Sequence, residues 1–137
     1  MKYFSIKELS RSTAATKYGI DNTPSTEVES NLRKLVDNVL DPLREAWGRP
    51  ITVSSGYRCP ALNKAVGGVA ASQHQKGMAA DISAGDREDN AKLFYLAQKL
   101  KLPYCQLIWE KGDKTGPAWI HISYDESNPK RQIVYAK

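Results

Sequence analysis

The sequence predicts an α+β fold in which a small antiparallel sheet packs against helices. Three features carry that prediction. Val28, Leu32, Leu35, Val36, Val39, Leu40, Leu43 and Ala46 recur at the spacing of one helix face. Short β-branched or alternating runs follow at 51–54, 79–83, 105–110 and 118–124, bounded by Gly, Pro and polar turn residues. Between them, residues 87–100 return to helical spacing, with Leu93, Leu96, Ala97 and Leu100 as the apolar stripe.

The elements follow in order. Thr23-Pro24-Ser25-Thr26-Glu27 joins hydroxyls, a proline and an acid in a helix-start pattern, so the main core helix begins here. Pro42 lacks an N–H and is expected to bend it. Gly48-Arg49-Pro50 ends it, and the first strand delivers Ser55-Gly56-Tyr57-Arg58 to its end. Residues 60–66 suit a short helix, with Pro60 near its start and Gly67-Gly68 after its end. A polar loop carrying His74 leads to the strand 79–83, where Asp81 and Ser83 share one face and Ile82 takes the other. The helix 87–100 then packs on the sheet's buried side.

Residues 105–110 and 118–124 form an antiparallel hairpin across the turn-rich loop Lys111-Gly112-Asp113-Lys114-Thr115-Gly116-Pro117. In its second strand Trp119, His121 and Ser123 share a face opposite Ile120, Ile122 and Tyr124. The polar face must look into a cleft. Gln106, Ile108 and Glu110 share one face of the first strand, but the register that decides how near Glu110 comes to His121 is not fixed by sequence.

A chain of 137 residues fits one domain, 1–137, with its motifs between about 51 and 124. Hydrophobic residues at 41% and charged residues at 26% are ordinary for a globular protein. No apolar run approaches the roughly 20 residues of a membrane-spanning helix, so no membrane insertion is expected. Cys59 and Cys105 are too few for a disulfide framework and are not spaced as a zinc pair, which leaves free thiols. The net charge of +5 is spread among acids and lacks an aromatic-flanked basic run, so nucleic-acid binding is not expected. A monomer is the default expectation.

Both histidines of the chain lie in short polar motifs, Ser72-Gln73-His74-Gln75-Lys76-Gly77-Met78-Ala79-Ala80-Asp81 and Trp119-Ile120-His121-Ile122-Ser123. Taken singly, a strand histidine beside a tryptophan is most often a satisfied core residue, and an aspartate after alanines a cap or turn former. Together, two imidazoles and a carboxylate suit zinc, and three ligands with one open position is the pattern of a catalytic rather than a structural ion. Gly77, Ala79 and Ala80 are small enough to let the chain curl closely between His74 and Asp81.

The Ser72-x-His74-x-x-Gly77-x-Ala79-x-Asp81 stretch, the later Trp119-x-His121 and the upstream Ser55-Gly56-Tyr57-Arg58 resemble the zinc D-alanyl-D-alanine carboxypeptidase family. That family includes cell-wall carboxypeptidases, dipeptidases and phage endolysins, and shares its fold with Hedgehog signalling domains. The resemblance implies the Hedgehog/DD-peptidase fold and one Zn²⁺ held by His74, Asp81 and His121, with water at the open position made acidic by the metal. It further implies hydrolysis of D-amino-acid-containing bonds in peptidoglycan stem peptides, by a carboxypeptidase or an endolysin-type endopeptidase. Arg58 is the candidate for the developing oxyanion or a substrate carboxylate. Ser72 and Trp119 are candidate substrate contacts.

Many relatives carry an acid three residues before the last histidine, where this chain has Ala118. Glu110 is therefore the candidate general base and Asp113 the second choice. The displaced acid also supports an alternative, a zinc-stabilised cell-wall recognition module without turnover. Met1 to Ser10 lacks the uninterrupted apolar core of a secretory signal. The expectation is a protein that stays cytoplasmic until a separate pore releases it to the wall.

Overall fold

A computed structural model describes residues 1–136. Two short helices open the chain, α1 (Ile6–Ser10) and α2 (Thr13–Tyr18), each started by a serine whose Oγ accepts a backbone N–H three residues on. The main helix runs as α3 (Thr26–Leu35), a π-helical turn at Val36–Leu40, and α4 (Asp41–Trp47). Sequence expects a bend at Pro42, and the structure widens the turn just before it. Asp41 N–H reaches back to the Val36 carbonyl, five residues away, and Pro42 follows with no N–H to place. The inserted residue delays the buried face by one position. Ala46 is exposed, and Trp47 closes the stripe against the core instead.

Five strands form one sheet in the order β1 (Thr52–Ser55), β2 (Ala79–Ser83), β4 (Trp119–Ser123), β3 (Gln106–Glu110) and β5 (Gln132–Tyr135). The first four pair antiparallel, as the sequence predicts, while β5 runs parallel to β3 at the edge. That fifth strand is absent from the sequence expectation. Its side chains are mostly exposed, so it shows no buried face to recognise. Between β1 and β2 lie α5 (Pro60–Ala65) and a single 3₁₀ turn at Gln73–Lys76. The helix α6 (Arg87–Lys99) follows β2.

The sheet has one buried face. Ile82, Leu107, Ile120 and Ile122 are all at most 1% exposed and pack with Leu93, Phe94 and Ala97 of α6 and with the main helix. Leu100 lies past the end of α6 and is exposed, and Phe94 fills the stripe in its place. The opposite face of β2, β4 and β3 is left to carry polar groups. Cys59 and Cys105 are free thiols, the latter buried. Among the described residues, no helix is long and apolar enough to cross a membrane.

Candidate metal centre and its cleft

Strand pairing brings the motif residues together. Asp81 of β2 stands opposite His121 of β4, and His121 stands opposite Ile108 of β3, so their side chains share one row on the open face. His74 arrives from the 3₁₀ turn. Ser72 starts that turn by accepting the His74 N–H on its Oγ at 3.2 Å, and Gly77 ends it at φ +72. A Cβ on Gly77 would lie 2.8 Å from the Val28 carbonyl oxygen, so glycine is required both by conformation and by the closeness of α3.

The histidine ring has a defined tautomer. Its Nδ1 lies 2.6 Å from the Gly56 carbonyl oxygen, which can only accept, so Nδ1 carries the proton and Nε2 is left as a donor of a lone pair. Nε2 lies 3.3 Å from Asp81 Oδ1, and Nδ1 of His121 lies 3.1 Å from the same oxygen. One ligand atom from each of His74, Asp81 and His121 lies within 4.8 Å of the other two. This donor set fits zinc, and the bond from His74 Nδ1 to a carbonyl is the kind of support that orients an imidazole toward a metal.

Burial alone would push the Asp81 carboxyl up. His121, whose Nδ1 lies 3.1 Å from the carboxylate, and the neighbouring His74 outweigh it and hold the group well below the usual carboxylate range. The carboxylate is therefore ionised and able to ligate a cation. Arg58, half-buried, is pulled below its ordinary value by burial, opposed by the negative charge of Asp81. It remains a cation, since guanidinium does not lose its proton in proteins.

The Gly56 segment is held from below. Tyr57 N–H donates to the Leu9 carbonyl at 2.7 Å, and Arg58 N–H to the His74 carbonyl at 3.0 Å. Asn22, nearly buried, donates to the Ser10 and Tyr57 carbonyls and accepts the Cys59 N–H. Sequence reading missed both α1 and Asn22 as supports of the site. Nothing in a lone asparagine after a short helix announces that role.

The donor atoms sit in a cleft of about 810 Å³ that also exposes Arg58, Ser72, Ile108 and Glu110. The register answers the question that sequence left open. Glu110 pairs with Trp119, one row along from His121 and on the same face, so it lies diagonally across from the histidine. Asp113 does not line the cleft. Its carboxylate accepts the Thr115 and Gly116 N–H groups and faces Arg87, and the Thr115 bond in particular lowers its pKa. Trp119 is half-buried with its indole Nε1 enclosed and without an acceptor, and it is not among the residues lining the cleft.

The far wall comes from Asp125, Asn128 and Lys130, which sequence reading passed over. The signal was turn chemistry. Asp125 accepts both the N–H and the Oγ–H of Ser127, a local turn that folds the segment after β4 back over the cleft.

These features can be compared with known proteins. The zinc D-Ala-D-Ala carboxypeptidase of Streptomyces albus G is 45% identical over 49 residues, which is 35% of this chain and 19% of that protein. The chain thus matches about a fifth of that relative's length. A profile of the Peptidase M15 family matches residues 2–123, nearly the whole chain. The resemblance seen in the motifs therefore holds well beyond them, and the chain belongs to the peptidase M15 family.

Proposed function

We propose that the protein is a zinc-dependent peptidase that hydrolyses D-amino-acid-containing bonds in the stem peptides of bacterial peptidoglycan. The observation that carries this reading is the convergence of His74, Asp81 and His121 at the floor of an open cleft. Family membership and the printed activity of the Streptomyces relative support it. One zinc, held by those three residues, would supply Lewis acidity toward a peptide carbonyl and lower the pKa of water.

The chain's own groups account for the rest of the reaction. Glu110, on the same face as the donor cluster, takes the proton of the attacking water and returns it to the leaving amine. Arg58, which also lines the cleft, offers its guanidinium to the oxyanion that forms at the scissile carbonyl. Ser72 acts indirectly, through the turn that aims His74. A carboxylate on the cleft face supports turnover over a recognition module, because the acid missing at Ala118 has a replacement within the same site. The cleft is complete within one chain, which suits a monomer.

Whether the protein works as a carboxypeptidase or a lysin-type endopeptidase is decided by product. Purified muropeptides incubated with zinc-loaded protein, beside a chelator-treated sample, should lose one D-alanine or part at an internal bond, as read by mass spectrometry. No mass change at full zinc occupancy would overturn the proposal.

A further inference from the structure

A second cavity, of about 380 Å³, adjoins the cleft, and among the described residues Arg58 alone lines both. Its other walls include Arg11 from the turn between α1 and α2, Ser55 at the end of β1, and the apolar Val53, Leu62 and Val66. Among the described residues, two guanidinium groups line it and no carboxylate does. Among the described residues, the arginines found in ion pairs are Arg49 and Arg87. Arg11 and Arg58 are in none. Arg58 Nε is moreover enclosed and without an acceptor.

Two like charges line one open cavity, one exposed and the other half-buried with an unpartnered Nε, so an anion placed between them gains charge-assisted hydrogen bonds that no protein acceptor supplies. We propose that this cavity is a carboxylate subsite, gripped by Arg58 from the cleft side and by Arg11 from the outer side, which takes an acidic group of the peptide substrate. The inference rests on the peptidase reading and adds Arg11 to it. Guanidinium forks match a carboxylate with paired, charge-assisted hydrogen bonds. The apolar wall suits the short side chain of the same residue. Ser55, on the cavity wall, pairs with Asp81 across the sheet, so a group held here lies beside the donor cluster.

The carboxylate can be the peptide's C-terminus or an interior acid, and amidation separates the two. The test is calorimetry on zinc-loaded protein carrying Glu110→Gln, which slows turnover, with the stem peptide L-Ala-γ-D-Glu-L-Lys-D-Ala-D-Ala as ligand. Four forms are compared: free acid, C-terminal amide, interior amide and double amide. Arg11 is exposed and makes no side-chain hydrogen bond among the described residues, so Arg11→Ala should leave the fold intact. It should raise the Kd of the free acid about tenfold, with Arg11→Lys recovering part of the loss. The loss should vanish for the peptide amidated at whichever carboxylate fills the cavity. An unchanged Kd for the free acid on Arg11→Ala, or an equal loss for the double amide, would overturn the subsite alone. Binding of no peptide form at full zinc occupancy would remove the subsite together with the peptidase reading.

Discussion

At the scale of single residues, the site depends on one carbonyl. Gly56 O fixes the protonated nitrogen of His74, and Gly56 has no room for a side chain, because a Cβ would stand 2.2 Å from the Leu9 carbonyl oxygen. Gly56→Ala should push this segment off α1, turn the His74 ring and weaken zinc affinity by about 10–100-fold, measurable by competition with a chromophoric chelator. Arg58→Lys keeps the charge and loses the fork. Zinc content should stay unchanged while kcat falls by about 10²-fold. The convergence of His74, Asp81 and His121 was legible in sequence, since strand alternation puts Asp81 and His121 on polar faces and the small residues between 77 and 80 permit the approach. Glu110 was likewise preferred to Asp113 from sequence, but its placement relative to His121 was not legible. It depends on a hairpin register that no local pattern encodes.

At the scale of elements, the first turns of α6 hold the β3–β4 loop that follows Glu110. Arg87 donates to the carbonyls of Lys111 and Gly116, and Asn90 donates to those of Pro117 and Ala118. Asn90 is 1% exposed, and its Oδ1 also accepts from Ala84 N–H and Ser83 Oγ–H, tying the end of β2 to the same loop. Asn90→Ala strands several buried partners and should cost about 2–3 kcal/mol, read from the shift of a urea transition. The longer elements were readable from periodicity to within a residue or two at their ends. The helices α1 and α2 were not, being five and six residues long and defined by their Ser5 and Ser12 caps rather than by an apolar stripe. β5 escaped because an exposed edge strand buries no face.

At the scale of the whole molecule, the fold does not rest on the metal. A continuous core joins α1, the main helix, α6 and the buried sheet face, while the donor cluster occupies the other face. Chelation should therefore leave far-ultraviolet circular dichroism unchanged. It should lower Tm by roughly 10 °C relative to protein with free zinc at a hundred times its Kd, because the folded state alone presents the assembled site. The α+β architecture was legible in full outline, yet the two cavities that meet at Arg58 were not, since they arise where α1, α2 and β1 come together. The proposed function requires that this cleft turn substrate over with Glu110 as its base. Rates of muropeptide hydrolysis by the wild type and by Glu110→Gln, with the zinc content of both determined on the same samples, decide it. Equal zinc and a loss of at least about 100-fold in rate are expected. Equal rates, or none from either at full zinc occupancy, would contradict it.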